Sequence, residues 1–235
     1  MLIKILAFGA IGFISILLVD SIVGYKFENI FLCIGIFGKP GSGKSMLLSK
    51  EAYKHMKKGW KVFVDFPCYI EGVHKFNDEL FKSGQWLPDG RNESMTWDPE
   101  ANASGIPRKI KQKICLIIDE IGTLYNNRDF KTNFSKETLK WWKEHRHAGV
   151  KVIYASQAYN DMDKKLRVLT DCYYLLKKPF FKLIRYAKLV QVETDISNEN
   201  KDTGGQIIDL YKYSFFTQWK LLWLPKWVKK FNSYA

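Results

Sequence analysis

Four short apolar runs punctuate the chain, at residues 30–37, 61–65, 114–119 and 151–156. Each is rich in Ile, Val, Phe, Leu or Tyr, and the first and third are apolar almost throughout. Runs of that length without alternation suit strands buried on both faces, as in a parallel sheet. Between them the pattern predicts helices over residues 45–58 and 137–147. Strand and helix thus alternate, which predicts an α/β fold: a central, mostly parallel sheet flanked by helices, with right-handed crossovers. Residues 66–113 are richer in Gly, Pro, Asn and Asp and read as a long irregular insertion. Residues 171–177 and 183–192 add strand-like material on the far side.

The two ends differ from this body. Residues 5–19 are an unbroken apolar run of about 15 residues, short of the roughly 20 that cross a bilayer as a helix. Counting on to Gly24 reaches that length, with Asp20 near the headgroups. No small-x-small cleavage pattern follows, so residues 1–24 are expected to form an uncleaved N-terminal hydrophobic helix that anchors the chain. Only about five residues separate it from the first strand, a reach under about 18 Å, so the α/β domain is expected close to the membrane. Residues 30–195 then form that domain, and residues 196–235 a tail rich in aromatic and basic residues. In the tail, Trp219, Trp223 and Trp227 recur among Lys220, Lys226, Lys229 and Lys230. Such a tail suits a headgroup layer or a segment docked on its own core.

Chemistry enters at the end of the first run, which reads Gly38, Lys39, Pro40, Gly41, Ser42, Gly43, Lys44, Ser45. This satisfies G-x-x-x-x-G-K-[ST] in full, placed after an apolar strand and before a helix. Its glycines let successive N–H groups turn inward toward phosphate oxygens, and the helix adds its positive N-terminal end. The nucleotide contacts expected are therefore Gly38 through Ser45 together with Met46. Lys44 is to reach the β- and γ-phosphates of ATP, and the Ser45 hydroxyl to hold Mg²⁺. About 75 residues further on, the third run ends in Asp119 and Glu120. An acid at a buried strand tip is what Mg²⁺ needs, so Asp119 is the second metal residue, and Glu120 is placed to polarise the attacking water. The fourth run ends at Gln157, which either senses the γ-phosphate or merely caps its strand. No N-K-x-D guanine motif is present.

Composition adds less. The formal charge is +13, from 37 basic and 24 acidic residues, and favours nucleic acid or an anionic membrane as partner. The four cysteines, Cys33, Cys68, Cys115 and Cys172, form no C-x-x-C pair and fit a reducing compartment better than a disulfide framework.

The glycine loop, the stretch Cys115–Phe130 with its D-E-x-G-T and following N-x-R, and the stretch Trp141–Gln157 together resemble the zonula occludens toxin (Zot) family. That family includes the inner-membrane assembly ATPases of filamentous phages, in the RecA/AAA-like branch of P-loop proteins. The resemblance implies an ATP hydrolase that works as a homo-oligomeric ring on phage DNA and coat or assembly proteins. It also implies a place in the host cytoplasmic membrane, with the ATPase facing the cytoplasm. Its arginines fall on Arg128 and Arg146, with Arg167 a third; one of them is to reach a neighbour's site as an arginine finger, the alternatives for each being a contact to DNA phosphates or a surface ion pair. Two departures stand out: members from filamentous phages place their membrane span after the ATPase domain, and they continue into a periplasmic domain. A genome-packaging ATPase of a membrane-containing virus and an ATP-dependent scaffold without motor activity are the alternatives.

Overall fold

The computed structural model describes residues 31–92, 96–98, 109–126, 128, 134–159, 162–180, 183–191, 211–213 and 220–223. The expected anchor at residues 1–24 and most of the tail lie outside them. Among the described residues no helix is long and apolar enough to cross a membrane.

The four apolar runs form strands β1 (Cys33–Phe37), β2 (Lys61–Val64), β4 (Ile114–Ile118) and β5 (Val150–Ser156). Helix α1 (Lys44–Lys57) follows the glycine loop, and helix α4 (Lys136–Glu144) precedes β5. Six strands run parallel in the order β3-β2-β4-β5-β1-β6, where β3 is Val73–Lys75 and β6 is Cys172–Phe180. Strand β7 (Leu183–Gln191) then turns back antiparallel on β6, and β8 (Tyr211–Tyr213) and β9 (Lys220–Trp223) both pair antiparallel with it. The stretch of the tail at Lys220–Trp223 is therefore a strand of the sheet.

The insertion is less irregular than its composition predicts, because it carries both β3 and a short helix α2 (Asp78–Ser83). Asn77 caps α2 by accepting from the N–H groups of Glu79 and Leu80, and Gly84 ends it in the left-handed conformation. That capping pattern lies in the sequence, but the helix is too short for its periodicity to register. The insertion is tied to the strand side by the Gly90 N–H, which donates to the Ala148 carbonyl at 2.7 Å, and it is braced internally by a buried ion pair. Asp89 (0% exposed) accepts from the Arg91 guanidinium at 2.7 Å, and Arg91 stacks on the Trp97 ring at 4.8 Å.

Side chains of the central strands alternate between two helical layers, as the two-residue period of a strand requires. Ile114, Leu116 and Ile118 of β4, with Val150, Val152 and Tyr154 of β5, belong to the aromatic core that also takes in Trp141 and Trp142 of α4. Adjacent residues on a helix point about 100° apart, so burying both tryptophans sinks α4 on two flanks. Trp141 donates its indole N–H to the Pro88 carbonyl at 2.8 Å and meets Phe81 edge-on, which joins α4 to the insertion.

The opposite face, with Cys115 and Lys151, lies under α1. There His55 is 1% exposed, packs edge-on against Trp60 and bonds the Glu51 carbonyl through Nδ1 at 2.8 Å. Burial pushes the His55 imidazole down to about 4, against the pull of the Glu51 carboxylate, with Lys54 and Lys151 adding to the fall. The cysteines are free, and burial pushes the Cys33 thiol up to about 12. Below its ordinary value near 6.5, His55 takes up a proton in the unfolded chain but not in the folded one until about pH 4. Stability is therefore expected to fall as pH drops through that window. His55→Gln should lose less over the same range, by on the order of 3 kcal/mol in denaturant unfolding. Parallel losses in the two proteins would show that His55 is not the group responsible.

Candidate functional site

Parallel strands put their carboxyl ends on one edge, and loops leaving that edge converge although their residues are far apart in sequence. Across this edge the order β2-β4-β5-β1 sets Asp65, Asp119, Gln157 and Gly38 side by side, each the first residue after its strand. Strand β5 thus lies between the glycine-loop strand and the acidic strand, so Gln157 emerges between the two halves of the site. Gln157 itself is exposed.

The glycine loop has little freedom to be anything else. Gly43 caps α1 with φ 91° and Gly41 has φ 75°, a region that side chains with a Cβ rarely enter. A Cβ on Gly38 would lie 2.4 Å from Ser42 Oγ. Ser42 is 1% exposed, and its hydroxyl has no hydrogen-bond partner among the described residues. Lys39 and Pro40 are exposed, while Met46 is half-buried in the first turn of α1. Lys44 is buried and donates to the Gly38 carbonyl at 2.8 Å, with Glu120 Oε1 3.9 Å away. Ser45 donates its hydroxyl to Asp119 Oδ2 at 2.5 Å. The Gly38–Ser45 loop, the Ser45–Asp119 pair and the Lys44–Glu120 contact thus form one constellation.

These residues fit a nucleotide and its metal. An orphaned buried hydroxyl on Ser42 and a lysine satisfied by its own loop are donors suited to phosphate oxygens. A hydroxyl and a carboxylate in contact are the hard oxygen set that Mg²⁺ prefers.

Asp65 has no counterpart among the residues expected from sequence. Its two carboxylate oxygens accept the Asp119 main-chain N–H at 2.8 and 3.0 Å. Burial pushes its carboxyl up to about 8, opposed by the bond from Asp119 and aided by the Asp78 and Asp119 charges. The signal available in the sequence was an acid closing an apolar run, the same feature that marks Asp119.

The three arginines lie in different places. Arg146 precedes β5 and pairs with Asp171, whose carboxylate also accepts the Cys33 N–H at 2.6 Å. Those residues stand at the strand starts, so Arg146 is on the opposite edge, about 20 Å of strand away from the glycine loop. Arg167 stacks its guanidinium 4.8 Å from the Tyr159 ring centre. Arg128 is exposed, with its N–H bonded to Asn126, and Asn126 bridges to Met162 in the segment after β5.

Glu120 is the one non-glycine residue with positive φ among the described residues, at φ 52° and ψ 54°. Its N–H donates to Asp119 Oδ1 at 3.1 Å, and this tight turn swings the Glu120 side chain back toward Lys44. A left-handed conformation costs a residue with a Cβ roughly 1–2 kcal/mol. Glu120→Gly should therefore be more stable than Glu120→Ala by about 1 kcal/mol in denaturant unfolding, after the extra chain entropy of glycine. Equal stabilities would show that the turn is unstrained.

The sequence matches the family described as Zonular occludens toxin (Zot) over residues 34–215. No curated protein matches it. Among solved structures, the N-terminal domain of zonular occludens toxin from Neisseria meningitidis is similar with a TM-score of 0.46 at 20% identity, over 67% of this chain and 83% of that one. The genome packaging NTPase B204 from Sulfolobus turreted icosahedral virus 2, in complex with ATP-gammaS, has a TM-score of 0.43 at 15% identity, over 68% and 93% of the two chains. With its match running from residue 34 to residue 215 of 235, the chain belongs to the Zot family.

Proposed function

We propose that this protein is a membrane-tethered ATPase that drives the assembly of a filamentous-type phage and the extrusion of its DNA. The observation that carries the reading is the convergence of Lys44, Ser45, Asp119 and Glu120 at one sheet edge, with Ser45 Oγ 2.5 Å from Asp119 and Lys44 Nζ 3.9 Å from Glu120. Family membership supports the setting in phage or virus assembly.

In this reading the N–H groups of the Gly38–Ser45 loop cradle the phosphates, and Lys44 exchanges the Gly38 carbonyl for phosphate oxygens. Ser45 and Asp119 hold Mg²⁺, which when bound neutralises charge on the β- and γ-phosphates. Glu120 takes the proton of the attacking water, and Gln157 orients that water from the strand between the two halves. An arginine from a neighbouring subunit stabilises the charge that develops. Of the three candidates, Arg128 is exposed and tied to the segment leaving the carboxyl edge, whereas Arg146 is paired with Asp171 and Arg167 is stacked on Tyr159. A homo-oligomeric ring follows from that need. Its partners are phage DNA, coat or assembly proteins and an anionic membrane surface, which the charge of +13 suits. The place of work is the host cytoplasmic membrane, held by residues 1–24, with the ATPase facing the cytoplasm.

Two measurements test this. Glu120→Gln should lower ATP hydrolysis by about 100-fold or more, while single-stranded DNA raises the wild-type rate. A wild type no faster than the variant would sink the motor reading. On washing membranes with alkaline carbonate, the full chain should stay in the pellet and a chain lacking residues 1–24 should be released. Retention of the shortened chain would remove this segment as the tether.

A further inference from the structure

Strand β2 ends at Val64, in register with Ile117 of β4. Beyond that point Asp119 has no strand carbonyl on the β2 side to receive its N–H. The side chain of Asp65, the next residue along, supplies the missing acceptor through both oxygens, at 2.8 and 3.0 Å. Asp65 and Asp119 are 54 positions apart in the chain. The bond fixes the peptide from which the Asp119 side chain departs. From that peptide Asp119 Oδ2 meets Ser45 Oγ at 2.5 Å and Asp119 Oδ1 receives the Glu120 N–H at 3.1 Å. One carboxyl at the tip of a neighbouring strand thus orients both Asp119, which with Ser45 would hold the metal, and the turn that carries Glu120.

We propose that Asp65 is a positioning residue of the hydrolytic site, holding Asp119 by its main chain so that Ser45, Asp119 and Glu120 keep a common geometry. It acts through Asp119 and not by touching nucleotide. The inference rests on the ATPase reading of the site, and it assigns a role to a residue outside the glycine loop and the Asp119-Glu120 pair. What the position requires is an oxygen acceptor of carboxyl shape, and a carboxamide provides one.

The test compares Asp65→Asn and Asp65→Ala with the wild-type full chain. Binding of a fluorescent ATP analogue is measured with Mg²⁺ and with a chelator, beside steady-state hydrolysis. Asp65→Ala should lose about 10–100-fold of the Mg²⁺-dependent gain in affinity and a similar factor in kcat. Its binding in chelator and its KM should stay within about threefold. Asp65→Asn should restore most of both losses. Hydrogen exchange in wild type, read on a peptide spanning β4 and the Asp119-Glu120 turn, should find the Asp119 amide protected, whether or not the alanine variant folds. Wild-type Mg²⁺-dependent affinity in a folded Asp65→Ala, an asparagine variant as impaired as the alanine one, or rapid exchange of the Asp119 amide would each overturn the proposal. If wild type hydrolyses ATP no faster than Glu120→Gln, the ATPase reading fails instead, and the Mg²⁺-dependent binding still decides the part played by Asp65.

Discussion

Asp119 takes the Ser45 hydroxyl on one carboxylate oxygen and the Glu120 N–H on the other, and gives its own N–H to Asp65. Each partner comes from a different part of the fold: the first turn of α1, the turn after β4, and the tip of β2. A single residue can serve all three, two through its carboxylate and one through its main chain, only if the sheet brings these strand ends together at one edge. The parallel registers bring them there in a stagger, with Val64 ending β2 opposite Ile117, Ile118 ending β4 opposite Tyr154, and Phe37 ending β1 opposite Ser156 two residues further on. The sheet is therefore best understood as the device that brings an acid, a hydroxyl and a lysine to one edge. Its burial on both faces follows from packing helices on either side.

Two buried features order the insertion beside that sheet. The Asp89–Arg91 pair is almost closed to solvent, and Arg91 is covered further by Trp97. A paired, hydrogen-bonded charge of this kind adds little net stability but strongly disfavours arrangements that would leave one partner alone. The Trp141 bond to the Pro88 carbonyl, one residue before that pair, carries the same segment onto α4. Through β3 the insertion also extends the sheet beyond β2, so β2 is an interior strand with its tip residue, Asp65, half-buried. The insertion thus shapes the phosphate edge without contributing a residue to the glycine loop or the acidic pair.

The polarity of the sheet also separates roles that sequence leaves merged. Arg146 and Asp171 meet beside the Cys33 N–H at the starts of β5, β6 and β1. That edge faces away from the glycine loop, so within one subunit this arginine ties strand starts together. Arg167 is similarly engaged by Tyr159, which lies edge-on to Phe37, the last residue before the loop. Arg167 thus bears on the loop's surroundings through packing, while Arg146 is engaged by a pairing at the far edge. Arg128 differs: its main-chain N–H is bound to Asn126 and its residue is exposed.

How far the sequence discloses this arrangement depends on the range of the interaction. The glycine loop is local: its backbone, its lysine and the start of its helix all lie within the eight residues Gly38–Ser45, so spacing alone reveals it. The four central strands are nearly as legible, since burial on both faces leaves continuous apolar runs. Helix α2 and strand β3 escape because six and three residues are too few for a period to show, even though Asn77 and Gly84 mark the ends of the helix. Asp65 escapes for a different reason. Its run, like that of Asp119, ends in an acid, but nothing nearby says that the two strands are neighbours. Only pairing across 54 positions makes its carboxyl an acceptor for Asp119. The glycine loop can be read from a motif because its function is built into one stretch of backbone. The support for the acidic half is built from a contact between strands, and the order of strands in the sheet has to be known before that contact can be seen.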